Sequence, residues 1–183
     1  MSNRVVLGNA PFTIDEVVSV ARHGAQVEIS AAAREAMRAA RAVVDAHALS
    51  DEAIYGVSTG FGALANRKID VASRDRLQAS LIRSHAAGSG PEVENEVIRA
   101  LMLLRLQTFT TGRTGVREAV ADRYAALLNA QFSPVVYEFG SLGCSGDLAP
   151  LAHCALAVIG EGEVRDPDGE LRQSGEVLAE LGF

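Results

Sequence analysis

The chain has 183 residues, with 17 Lys+Arg against 23 Asp+Glu and a formal net charge of -6. Hydrophobic residues make up 48% and charged residues 22%, a globular balance that excludes a wholly disordered chain and suits one domain with a real core. The acidic balance argues against nucleic acid or an anionic membrane surface as the main partner.

Residues 4–7 form a short apolar run that reads as a strand. Thr13 is placed to cap a helix over 14–22, with Glu16 three residues on completing a capping box and Gly24 as the stop. Residues 26–29 alternate as a second small strand. Ser30 then caps an alanine- and arginine-rich helix to about Ala48. Tyr55-Gly-Val-Ser-Thr-Gly-Phe-Gly62 is too rich in glycine and hydroxyls for helix or strand, and reads as a loop that makes tight turns or approaches a ligand.

Asp70 is expected to cap a helix through Arg83, and Pro91 to occupy the first turn of the next. From 92 to 110 apolar residues recur at Val93, Val97, Leu101, Leu104 and Thr108 with others between, so this helix is expected to be buried against several neighbours. Residues 116–129 form a further helix with Val120, Tyr124, Leu127 and Leu128 on one face, and 132–139 run extended around Pro134. Gly140-Ser-Leu-Gly-Cys-Ser-Gly-Asp147 precedes an apolar helix over about 148–159. Asp166-Pro-Asp-Gly169 marks a hairpin turn, and Ser174 is expected to cap a short last helix. There is no internal repeat and no linker, so residues 1–183 read as one mainly α unit with a few short strands.

Several chemistries are closed. Lys68, flanked by Arg67 and Ile69, is the sole lysine, so no phosphate-binding P-loop can be written. Cys144 and Cys154 make no disulfide framework, and with His153 they lack a ligand and a usual spacing for zinc, so no metal is expected. No signal-like leader opens the chain and no apolar run reaches ~18 residues, the length of a membrane span. A soluble protein of a reducing, cytoplasmic compartment is the expectation.

The 140–147 segment fails the nucleophile-elbow spacing, because Asp147 stands where Gly is needed, and its glycines do not fit a dinucleotide fingerprint. Three readings stay open on residues alone. One is a glycine-rich helix entry. Another is anion binding at a helix start. The third is chemical: in a sharp bend the amide nitrogen of Gly146 attacks the carbonyl carbon of Cys144, unhindered by any side chain. Loss of that carbonyl oxygen as water, and of a second water from Ser145, leaves a five-membered methylidene-imidazolone, a strong electrophile.

Gly140-Ser-Leu-Gly-Cys-Ser-Gly-Asp-Leu-Ala-Pro-Leu-Ala-His153 resembles the signature of the aromatic amino acid ammonia-lyases, whose autocatalytic cofactor is this ring. Tyr55-Gly-Val-Ser-Thr-Gly-Phe-Gly62 and Leu77-Gln-Ala-Ser-Leu-Ile-Arg-Ser-His-Ala-Ala-Gly88 resemble two further signatures, in the family's order. The resemblance implies the family's helical fold, a 4-methylidene-imidazol-5-one formed from Cys144, Ser145 and Gly146, and Tyr55 as the base that removes the substrate β-proton. It implies that His85 contacts the substrate, and that Asp147 either caps the following helix or assists ring closure. Ser84-His85 resembles the histidine-specific branch, which releases ammonia from L-histidine to give trans-urocanate, the first step of histidine degradation. Phenylalanine or tyrosine lyases and related aminomutases are the alternatives within the family.

Family members are homotetramers that build active sites from several subunits and run on for several hundred residues. The resemblance therefore implies an N-terminal portion, lacking later pocket residues and inactive alone; a non-catalytic helical piece serving assembly is the alternative of another class. Tyr137 departs from the family pattern, standing where relatives often have proline. His153 and Cys154 read as satisfied core groups. Arg113 and Arg117 read as either carboxylate binders or surface charge.

Overall fold

The computed structural model describes residues 3–8, 10–142 and 148–183. In chain order these form β1 (Arg4–Leu7), α1 (Ile14–His23), β2 (Gln26–Ile29), α2 (Ala31–Leu49), α3 (Val71–His85), β3 (Ser89–Glu92) and α4 (Asn95–Thr110). Then follow α5 (Glu118–Asn129), β4 (Ser133–Pro134), β5 (Tyr137–Phe139), α6 (Leu148–Val158), β6 (Glu163–Arg165), β7 (Leu171–Gln173) and α7 (Ser174–Glu180). The fold is mainly α, as expected, with three small sheets at its margins among the described residues.

The first three elements form as the sequence prescribes. The expected capping box closes α1: Glu16 N–H donates to Thr13 Oγ1 at 3.2 Å and Thr13 N–H to Glu16 Oε2 at 2.8 Å. Gly24 ends the helix in the left-handed region at φ 65°, which costs glycine no Cβ clash. α1 crosses between β1 and β2, which pair in parallel, and alternation sends Val5, Leu7, Val27 and Ile29 inward. The other edge of β2 is covered by a side chain. Asn129, at the end of α5, accepts from Val27 N–H at 2.7 Å and donates to Val27 O at 3.0 Å, standing in for one residue of a third strand.

α4 is the centre of the core. Met102, Leu103 and Leu106 are fully buried, with Ile98 and Phe109 beside them, against α1 and α5. The helix is buried against several neighbours, as expected, though not at every apolar position. Val97 and Leu104 are about half exposed, because a helix apolar nearly all round does not declare its inner side. Arg99 goes in with the apolar residues, 6% exposed. Its guanidinium donates to Val20 O at 2.8 Å, Ala21 O at 3.2 Å and Leu128 O at 3.2 Å. These carbonyls belong to the last turns of α1 and α5, where the partial negative charge of two helix ends accumulates. Burial lowers the Arg99 pKa from its ordinary value, yet the three acceptors satisfy the cation where it sits.

Three local expectations are corrected. Asp70 stands at the α3 N-cap but makes no capping bond with its side chain. Pro91 lies within β3 rather than in a helix; lacking an N–H, it suits an edge strand, and α4 begins only at Asn95. Ser174 is the first residue of α7 rather than its cap, and its buried hydroxyl has no partner. The hairpin forms as read: Asp166 Oδ1 accepts from the N–H groups of Asp168 at 3.0 Å and Glu170 at 2.8 Å, and β6 and β7 pair on either side. Among the described residues no helix is long and apolar enough to cross a membrane.

Replacing Arg99 by Met would leave Val20 O and Ala21 O without this donor, each costing about 1 kcal/mol or more, whereas Leu128 O keeps Gln131 N–H at 3.1 Å. Arg99→Met is therefore expected to lower unfolding stability by about 2 kcal/mol in urea titrations. An unchanged midpoint would show that the guanidinium does not join the two helix ends.

Candidate active site

The Tyr55 loop is organised by a hydroxyl beneath it. Ser58, buried, donates through Oγ to Glu52 O at 2.8 Å and accepts from Ile54 N–H at 2.9 Å, folding the turn back on itself. The backbone of Ser58 and Thr59 is tied to 68–69 by an antiparallel bridge between Thr59 and Lys68 and by Ile69 N–H donating to Ser58 O at 3.0 Å. Tyr55 is left on the outside. The residue is 61% exposed, its ring meets Phe61 edge-to-face at 5.8 Å, and its hydroxyl accepts from Gly62 N–H at 3.4 Å. A core role for this tyrosine is thereby excluded.

α3 holds the loop from one side. Arg74, Gln78, Leu81 and His85 recur at helical spacing and share one stripe. Arg74 donates to Ile69 O at 3.1 Å and to Ala48 O, joining the loop's far end to the end of α2. Gln78 Nε2 donates to Gly56 O, beside Tyr55, at 3.3 Å. His85 lies seven residues on, two turns and about 10 Å further along the axis. Its Nδ1 is 2.9 Å from Leu81 O and 3.0 Å from Ser84 Oγ, whose hydroxyl donates to the same carbonyl at 2.8 Å. A carbonyl can only accept, so Nδ1 carries the proton. In neutral His85 the lone pair is then on Nε2.

The end of α3 is fastened to both flanks of the glycine-rich segment. Gly88 N–H donates to His153 Nε2 on α6 at 3.0 Å. A Cβ on Gly88 would come within 3.1 Å of that nitrogen, and one on Gly140 within 3.2 Å of Gly88 Cα and 3.0 Å of Ala149 Cβ. Only glycines allow these backbones to approach so closely. The β3–β5 ladder, pairing Ser89 with Phe139 and Glu92 with Tyr137, carries the two strands into this meeting point. Cys144, Ser145, Gly146 and Asp147 lie outside the described residues. Gly140 and Ala149, on either side of them in sequence, adjoin each other. The residue chemistry fits the ring: an unhindered glycine amide, a serine hydroxyl to eliminate, and a first residue that gives only its carbonyl carbon.

His153 is half-buried, its ring edge-to-face with Tyr137 at 5.4 Å, and desolvation lowers its pKa from 6.5. It is a satisfied histidine, as expected, but its partner is the backbone of another signature segment rather than the core. Burial also pushes the Cys154 thiol up to about 12, so it is unreactive packing. Arg117 pairs with Asp45 at 3.6 Å on the surface. Sequence reasoning overlooked Arg74, Gln78 and Arg99. Helical spacing from His85 points to the first two; a lone cation inside the apolar 97–106 stretch was the available sign of the third.

The family model described as aromatic amino acid lyase matches residues 12–183. The chain belongs to the aromatic amino acid lyase family. It is 61% identical over 98% of its length to histidine ammonia-lyase of Streptomyces griseus, covering 35% of that protein, so it spans about a third of the length of the curated relatives it matches. Among solved structures it superposes on ergothionase from Treponema denticola with a TM-score of 0.93 at 31% identity, covering 98% of this chain and 36% of that one. On tyrosine aminomutase from Streptomyces globisporus the TM-score is 0.89 at 36% identity, covering 98% and 34%.

The lowered His153 pKa fixes a sign. A folded pKa below 6.5 means that the unfolded chain binds the proton more readily, so this group's contribution to stability is complete above that value and is lost as pH falls through the folded pKa. Between about pH 7 and pH 5 the wild type should therefore lose more thermal stability than His153→Gln, which has no imidazole to charge. Equal losses would show that the fold does not hold the His153 imidazole desolvated and neutral.

Proposed function

We propose that this chain is the cofactor-bearing N-terminal domain, residues 1–183, of an enzyme that removes ammonia from L-histidine to give trans-urocanate. The observation that carries the reading is the contact of His85 Nδ1 with Leu81 O at 2.9 Å. Leu81 O holds the proton on Nδ1, leaving Nε2 as an acceptor for the N–H of a substrate imidazole. The 61% identity to a histidine ammonia-lyase supports the same substrate.

In this reading a 4-methylidene-imidazol-5-one built from Cys144, Ser145 and Gly146 supplies the electrophile that makes the substrate amine a leaving group. The chain's own side chains do the rest. Tyr55 is the base for the β-proton. Its exposure and its attachment through Gly62 and Gln78 support a group held at a surface that substrate reaches. His85 orients the imidazole and thereby sets which hydrogen meets the phenol. The enzyme is read as a cytoplasmic homo-oligomer without a metal, and the outward Val97 and Leu104 of α4 are apolar surface that suits subunit contact.

His85 should discriminate among substrates. With Ser84→Phe and His85→Leu together, the enzyme carrying this chain is expected to lose about tenfold or more in kcat/KM for L-histidine relative to L-phenylalanine. The buried imidazole N–H would have no acceptor, at about 1–3 kcal/mol. Urocanate and cinnamate absorbance give both rates. An unchanged ratio would remove His85 from the substrate pocket.

A further inference from the structure

α3 carries the residue read above as the substrate-recognition group, yet none of its side chains is fully buried. Such a helix is positioned less by core packing than by polar ties at defined points. Toward its start these are Arg74 to Ala48 O and Ile69 O, and Gln78 to Gly56 O. Near His85 there are two. Arg83 pairs with Glu161 in the turn after α6, but both side chains are substantially exposed, and such pairs hold little. The other is the bond from Gly88 N–H to His153 Nε2 at 3.0 Å, in a half-buried setting.

Within the turn between His85 and Gly88 the other bonds are local, and only beyond it does Ser89 join Phe139 in the β3–β5 ladder. α3 ends at Ala86 without a left-handed cap, with Ala86 N–H donating to Ile82 O at 2.9 Å and Ala87 N–H to His85 O at 2.8 Å. The His153 ring is itself constrained by Tyr137, edge-on at 5.4 Å and 74°. Tyr137 Cβ also stands 3.4 Å from where a Gly88 Cβ would be, so ring, strand and glycine backbone form one contact. α6 carries His153, and Gly140 enters the glycine-rich segment against Gly88.

We propose that His153 is a positioning residue for substrate recognition: by accepting from Gly88 N–H through Nε2, it fixes the end of α3 and so the place of His85. The inference rests on the reading of His85 as the imidazole-binding group. His153 touches no substrate; it acts through the three-residue link to His85. The tie requires an acceptor at the Nε2 position, which neutral imidazole with its proton on Nδ1 provides, and the burial-lowered pKa keeps it available near neutral pH.

Two amide variants separate position from polarity. Glutamine places an amide oxygen near the Nε2 position, and asparagine only near Nδ1, too short for Gly88. In the complete enzyme His153→Asn should raise KM for L-histidine about tenfold with a smaller change in kcat, and His153→Gln should restore KM to within about twofold of wild type. Both should retain the mass deficit of two waters that marks the ring. In a His85→Ala background, His153→Asn should add less than about twofold, since the two residues act in series.

Unaltered KM in the asparagine variant, an equal loss in the glutamine variant, or full additivity with His85→Ala would overturn the proposal. So would disappearance of the mass deficit, which would assign His153 to cofactor formation. If His153→Asn does not fold, the glutamine variant still decides by keeping or losing KM. Failure of the functional reading itself shows separately, as absence of urocanate formation by the wild type.

Discussion

A helix without a fully buried side chain has to be held by directed bonds, and α3 is that helix. It touches the Tyr55 loop through Gln78 and the end of α2 through Arg74. It touches the turn after α6 through Arg83 and, beyond its last turn, α6 itself through Gly88. The bond between Gly88 and His153 is the point where this polar frame meets the glycine-rich segment. If it were absent, the residues that resemble three signatures would still exist, but the end of the third would be held near the first by the β3–β5 ladder beyond Gly88, a surface ion pair and partial apolar contact, with no directed bond from α6. Directed bonds of this kind suit a site that must keep groups from distant parts of the chain in register while remaining open to a ligand.

The rest of the chain supplies something for that frame to be anchored on. Arg99 ties the ends of α1 and α5 to the middle of α4, and Asn129 fastens α5 to β2. Both devices satisfy backbone groups that would otherwise be buried without partners. The core around Met102, Leu103 and Leu106 is thus joined by polar residues that match specific backbone atoms. β3 and β5 then run out from α4 and β4 toward the site, so the core's rigidity reaches Gly88 and Gly140 through a short ladder with a register shift.

What was legible in the sequence was local. Thr13 with Glu16, Gly24, Ser30 and the Asp166 turn act within a few residues, and their chemistry determines their geometry. The three signature segments were legible as a set because their residue types are unusual together. What was not legible was anything decided across the chain. The inner face of α4 depends on which neighbours arrive, because apolar residues surround it on most sides. Pro91 fits a helix start and an edge strand equally, and only Phe139 and Tyr137 opposite select the strand. His153 looked like a core group because α6 is apolar, and its acceptor role appears only once Gly88 is beside it, 65 residues away in sequence. Tyr137, a departure from the family pattern, proves to be the ring against which that histidine rests.

The central claim is that Cys144, Ser145 and Gly146 cyclise to the electrophile on which the reaction depends. The intact mass of the purified protein carrying this chain tests it most directly. The account predicts a mass lower than the sequence requires by two waters in the wild type and in Cys144→Ala, whose first residue gives only a carbonyl carbon. It predicts that Ser145→Ala, with no hydroxyl to eliminate, shows neither that deficit nor lyase turnover. A wild-type mass equal to that of the unmodified sequence, or a Ser145→Ala protein that still forms urocanate, would contradict it.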